Sequence, residues 1–202
     1  MRSHLIFLMS LFAASLAQGM PPWEHVTTTD DGISVKARID KKKLEGETLA
    51  KGLIQAPIAK VWKLLGDFDA YFKFMPYMQT SRVVRRNKQH VWQYCRTDTP
   101  VVSDRDYTLK FTFIKPALPA PWQLNYQVDN SAGPSPVDGV VRVSLATGGW
   151  TLKSVQGGKA THITYRLRTH PGGSIPLWMA HLGNKRAIPD IIRAARDEVG
   201  RR

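Results

Sequence analysis

The chain is short of cysteine and of acid. Cys95 is the one cysteine in 202 residues, so no disulfide can form within the chain and the fold must rest on its apolar core. Sixteen Asp and Glu stand against 29 Lys and Arg, a formal net charge of +13 that favours anionic partners such as membrane headgroups or acidic ligands. The densest cations are Lys41–Lys43, Arg82 with Arg85, Arg86 and Lys88, and Arg201–Arg202, each at a predicted turn, strand end or terminus. No recognition motif accompanies them, which argues against a nucleic-acid partner.

Enzyme signatures are equally scarce. The histidines (His4, His25, His90, His162, His170 and His181) form neither His-x-His nor His-Glu-x-x-His, and one cysteine adds little to a zinc site. A Gly-x-Ser-x-Gly elbow, a P-loop and a dinucleotide fingerprint are all missing. The expectation is no metal, no cofactor and no catalytic residue. Asp67 and Asp69 sit at a predicted helix end, where such residues suit turns. Cys95 lies in an alternating strand with no His beside it, so it reads as a small buried side chain rather than a nucleophile.

Long apolar runs are confined to residues 5–16. Arg2 precedes that run and the small residues around Ala17 follow it, the layout of a secretory signal peptide rather than a membrane span. No Leu-x-x-Cys lipidation box follows. The expected division is a signal peptide over 1–19 and one domain over 20–202, working in the periplasm or secreted.

Within that domain the periodicity is mostly that of strands. Residues 33–40 and 47–55 read as strands, and Ala56-Pro57 opens a helix with Ile58, Val61, Trp62 and Leu65 on one face. A short aromatic helix or turn follows over 68–75. Hairpins are predicted at 80–86 with 90–97, at 103–115 with 122–129, and at 140–146 with 150–155 around a Gly148-Gly149 turn. A last strand over 161–169 meets the Pro171-Gly172-Gly173 break, Ser174 is a candidate cap, and a long amphipathic helix ends the chain.

Several stretches then resemble one family. Val102-Ser103-Asp104-Arg105-Asp106-Tyr107 is similar to the Arg-Asp element that opens a central strand in START domains. Trp150-Thr151-Leu152 with Thr161-His162-Ile163-Thr164-Tyr165 resembles their paired late strands, and residues 171–178 resemble the lead-in to their final helix. The resemblance, to the START branch of the Bet v 1-like (SRPBCC) superfamily, covers nearly all of 20–202. It implies an α+β helix-grip fold: a curved antiparallel sheet wrapped around a long C-terminal helix, with an internal cavity. It further implies a monomeric, non-enzymatic carrier that takes one lipid or sterol-like ligand between membranes, with transient contact to an anionic membrane surface. A cyclase- or hydrolase-type enzyme acting in the same cavity, or a non-catalytic envelope scaffold, are the alternatives.

Candidate site residues come from the strand patterns. Arg105, Tyr107, Leu109, Phe111 and Phe113 share a face that its apolar members mark as inward. Arg105 there either pairs with an acid such as Asp98 or holds a ligand hydroxyl or carboxylate. Tyr165, beside Ile163, either orients a ligand or is a core tyrosine. Trp92 shares its strand face with Tyr94 and Arg96, and the pattern leaves that face either inward or outward. The expected ligand lining is Arg105, Tyr107, Phe111, Trp92, Tyr165 and Ile163, with Trp178 and Leu182 from the final helix. Pro189 removes a helix hydrogen bond and Gly183 weakens the same region, so both are gate candidates. Pro119, in the proline-stiffened loop 115–122, is the third; that loop suits either a cavity lip or shallow membrane insertion.

Overall fold

The computed structural model describes residues 20–42, 44–98, 103–170 and 177–202, with backbone alone over 177–184. The expected signal peptide, the Ser174 cap and the Pro171-Gly172-Gly173 break lie outside the described residues. Strands β1 (Glu24–Thr28), β2 (Ser34–Asp40) and β3 (Glu45–Ile54) lead to helix α1 (Ile58–Leu65) and a 3₁₀ segment, Phe68–Lys73. There follow β4 (Met78–Arg86), β5 (His90–Thr97), β6 (Arg105–Ile114), β7 (Trp122–Val128), β8 (Val141–Arg142), β9 (Leu145–Val155) and β10 (Ala160–His170). Helix α2, Leu177–Arg201, closes the order.

The sheet runs β1-β2-β3-β10-β9-β7-β6-β5-β4, with β8 paired to β6 in parallel. Apart from β8 every pairing is antiparallel, and the whole is the expected helix-grip α+β fold. Register gives the molecule two ends. Thr97 pairs with Arg105 at one, and His90 with Thr112 at the other. Helix α2 runs from the first toward the second, where Arg202 reaches Asp67 at 2.7 Å.

Both helices pack into the core at that second end. Ile188, Ile192, Ala195 and Val199 of α2 are buried, as are Ile58, Val61, Leu64 and Leu65 of α1. A Cβ on Gly52 would stand 3.1 Å from the Ile192 side chain, so a glycine in β3 lets the helix approach closely. Asp31, in the β1–β2 turn, accepts hydrogen bonds from Arg193 and Arg196 at 2.8–3.0 Å and ties the helix to the sheet edge.

Two expectations need correction. Gly148-Gly149 is no turn: β9 runs straight through it and pairs with β10 along its full length. A Cβ on Gly148 would collide with the Arg166 carbonyl, and one on Gly149 would lie 2.5 Å from the Leu124 carbonyl. These glycines let three strands close up, which is a strand role for Gly as much as a turn role. The predicted strand at 140–146 splits in two: Val141–Arg142 form β8, paired with β6, and Leu145–Ala146 open β9.

Candidate functional site

Because side chains alternate across a strand, register decides what faces the helix. Opposite Tyr107 lies Cys95, opposite Phe111 lies Tyr126, and opposite Trp150 lies Tyr165. These share the inner face with Arg105, Leu109, Leu124 and Ile163. Four tyrosines converge there: Tyr71, from the 3₁₀ segment, joins Tyr107, Tyr126 and Tyr165. Burial pushes all four phenols up, Tyr71, Tyr107 and Tyr126 well above their ordinary value, and the neighbouring phenols add to the effect for those three. Cys95 is buried among them and burial pushes its thiol far up, as a structural cysteine requires.

Their hydrogen bonds divide the four. The Tyr71 hydroxyl donates to the Leu65 carbonyl at 2.6 Å, and that of Tyr126 donates toward Tyr165 Oη at 3.1 Å and the Arg166 carbonyl at 3.3 Å. One proton cannot serve both acceptors, so Tyr126 and Tyr165 form a mutual hydroxyl pair. Tyr107 makes no hydrogen bond, yet its hydroxyl is not a sealed orphan, for the ring keeps accessible surface deep inside the molecule. A phenol both deep and accessible borders internal space. Buried polar groups are ordinarily paired, so the idle Tyr107 hydroxyl is available to something else.

Arg105 ends the same row, 8% exposed. Its guanidinium donates to the Ser103 carbonyl and holds no carboxylate, and burial lowers its pKa against a weaker opposing pull from Asp104. The expected ion pair with Asp98 does not form; Asp98 is exposed and its backbone N–H bonds to the Tyr77 carbonyl. The neighbouring Asp106 points to the other face, where Arg142 grips both its oxygens at 2.7–2.8 Å and Tyr94 donates to it. So the Arg-Asp element separates its charges, the acid neutralised outside and the base left unpaired inside.

The other expected residues scatter. Phe111 is buried under Phe68, with ring centroids 4.3 Å apart, and Ile163 is fully buried; both belong to the packed core. Trp92 is a correction: it lies on the outer face, with Arg85 and Lys110 over its ring and Nε1 donating to Asp129 at 2.8 Å. Its apolar bulk matched the inner face, but its cover is cationic side chains rather than core. Trp178, Leu182 and Gly183 fall in the first third of α2, with side chains outside the described residues. Pro189 is buried within α2, which continues on both sides of it. Pro119 sits in the β6–β7 loop, at the opposite end of the ten-residue β6 from Arg105. Sequence reasoning missed Tyr126; the phenol between polar neighbours at Asn125 and Gln127 was the available signal.

Outside, the sheet carries an open groove of about 560 Å³ lined by Lys110, Thr112, Asn125, Thr147, Arg166 and others. Glu47 closes one side, only 1% exposed between Arg38 and Arg166. Burial works to raise its pKa, and the two arginines outweigh it and hold the carboxylate below its ordinary range. This groove lies on the outer face and has a mixed polar and apolar lining.

Among the described residues no three His, Cys, Asp or Glu gather as metal ligands, and no helix is long and apolar enough to cross a membrane. Residues 54–196 match the family described as polyketide cyclase/dehydrase and lipid transport, and the chain belongs to it. Its solved relatives place it with the START proteins. A STAR-related lipid transfer protein from Xanthomonas axonopodis superposes with a TM-score of 0.76 at 26% identity, covering 88% of this chain and 98% of that one. The human StAR-related lipid transfer protein 5 shares the fold at a TM-score of 0.77 and 14% identity, over 89% and 86% of the two chains. An uncharacterized protein of Pseudomonas aeruginosa is 29% identical over 129 residues, 63% of this chain, and the match spans 62% of that relative's length.

Proposed function

We propose that the protein binds one apolar ligand with a polar, hydrogen-bond-accepting end in its interior and carries it between membranes of the cell envelope. The observation that carries this reading is the pair of unspent donors on one inner face: the unbonded Tyr107 hydroxyl and the Arg105 guanidinium without a carboxylate. The guanidinium is costly in an empty interior, and an oxygen-bearing ligand can take a hydrogen bond from either group. The apolar wall supplies most of the affinity, at about 0.8 kcal/mol for each buried methylene. Family membership and the Xanthomonas relative favour lipid as the cargo. The leader-like residues 1–19 favour export to the periplasm, and the net charge of +13 favours transient contact with anionic membranes.

The family's description also names cyclases, and an interior with phenols and a guanidinium can polarise a carbonyl. We place transfer first because, among the described residues, Cys95 is held as a thiol and the acids nearest Arg105 point outward. Native mass spectrometry of the protein purified from its own envelope, followed by organic extraction, tests the choice. One intact lipid per chain is expected. A chemically altered product in place of the supplied compound points to catalysis, and an empty protein that binds no member of a lipid panel overturns the carrier.

A further inference from the structure

The end of the molecule remote from Arg105 gathers two features that the interior does not use. Phe113, Ile114 and Leu118 are 36%, 43% and 52% exposed, and all belong to the single β6–β7 hairpin. Large apolar side chains on one projecting hairpin are a liability in water unless something covers them. Trp122 at the root of the hairpin donates Nε1 to the Pro116 carbonyl at 3.1 Å and packs edge-on to Trp62, so the hairpin is braced against α1.

The adjacent β4–β5 hairpin points the same way, because His90 pairs with Thr112 and Ile114 with Gln123. It carries Arg85, Arg86 and Lys88, all exposed. Most described arginines hold carboxylates, for example Arg38, Arg142, Arg168 and Arg193, but Arg82, Arg85 and Arg86 hold none. Lys115 adds a charge on the apolar hairpin itself, stacked over Trp122 at 4.4 Å. Nearest the two hairpins, Asp67 is spent on Arg202 and Asp69 on the Val83 backbone. Asp129 faces Arg85 and Lys110 further along the outer face, held low by Ser131 and Trp92.

We propose that these two hairpin tips form a docking surface for an anionic phospholipid bilayer. Leu118, Ile114 and Phe113 enter the interfacial region, while Arg85, Arg86, Lys88 and Lys115 meet the headgroup phosphates. Among the described residues the opposite end exposes Leu44, Tyr77 and Val137, on three separate segments. The inference deepens the carrier reading by naming which end touches the membrane, and it leaves Arg105 and Tyr107 away from the contact.

The test labels the full chain with an environment-sensitive fluorophore at L118C or, in a second preparation, at S135C; Ser135 is exposed near the Arg105 end and Cys95 is buried from the reagent. Vesicles of phosphatidylglycerol and phosphatidylethanolamine are added, with phosphatidylcholine vesicles as the uncharged comparison. The expected result is a blue shift at position 118 alone, with anionic vesicles only, fading as salt rises. R86E/K88E, which spares the Arg85–Trp92 stack, should weaken vesicle partition at least about tenfold, and residues 1–19 are common to every preparation. A shift at 135, at both positions or at neither, or partition unchanged by R86E/K88E, overturns the docking surface. Oleate binding measured on the same proteins separates the two ideas. Lost docking with normal oleate affinity concerns only the surface, and normal docking with no oleate binding concerns only the interior.

Discussion

At the scale of single residues, the inner face combines groups that stabilise the protein with groups that do not. The Tyr126 hydroxyl is bonded within the protein, and that of Tyr107 is not. Y126F should therefore cost about 1 kcal/mol in urea unfolding, whereas Y107F should leave the empty protein unchanged and weaken oleate binding about fivefold. Arg105 gives a sharper contrast. A buried cation without an acid opposes folding, so R105M should make the ligand-free protein more stable by about 1 kcal/mol or more. The same substitution should lower oleate affinity about 10–100-fold, because a charge-assisted bond to the carboxylate is lost. Calorimetry of binding beside denaturant curves checks both signs; a destabilised R105M would assign the arginine to architecture instead. The alternation along 105–113 was legible in the sequence and so was its inward face. Trp92 was not, because alternation separates two faces without saying which one the helix covers, and an aromatic ring under Arg85 and Lys110 satisfies the same pattern.

Whole elements were legible where their period was long and regular. The hairpin β4–β5, the strands β6, β7 and β10, and helix α1 lie within one or two residues of their expected bounds. Failures came where the chain departs from a two-strand rule. Strand β8 is a two-residue parallel bridge fixed by a distant Asp106, and Gly148-Gly149 looks like a turn until three strands are seen to crowd it. That crowding is testable. G148A must push the Arg166 carbonyl aside, so it should destabilise by about 2–3 kcal/mol, read as a lowered melting temperature. A true turn would have tolerated it far better. The α2–sheet clamp at Asp31 makes a separate prediction in pH. Hydrogen bonds from Arg193, then from Thr29, hold this carboxyl well below its ordinary 3.8. A depressed folded pKa means that the stabilisation is complete above pH 3.8 and is lost as pH falls through the lower folded value. D31N should thus be less stable than the natural chain at neutral pH, with the gap closing as acid protonates Asp31; a gap independent of pH would remove charge from the explanation.

Across the whole molecule, stability and occupancy are one equilibrium. The interior is asymmetric: a packed half near the hairpin tips, built by Ile163, Leu152, Ile192 and Phe68, and a half toward Arg105 where Tyr107 keeps an unbonded hydroxyl. Periodicity shows that strands and a helix exist, but the space between a curved sheet and a helix depends on curvature, which no single strand encodes. A ligand that fills the Arg105 half binds only the folded chain. At one hundred times its dissociation constant it adds about 2.7 kcal/mol to the unfolding free energy. For a domain of this size each kcal/mol raises the melting temperature by about 2–4 °C. Delipidated protein should therefore melt about 5–10 °C below the same protein saturated with oleate, and Y107F should show a smaller rise than the natural chain at the same oleate concentration. The gain should grow with the logarithm of oleate concentration, as it must for a ligand that the unfolded chain cannot hold. A melting temperature indifferent to oleate, in a protein from which bound lipid has been shown to be removed, would mean that this half of the interior closes on itself when empty.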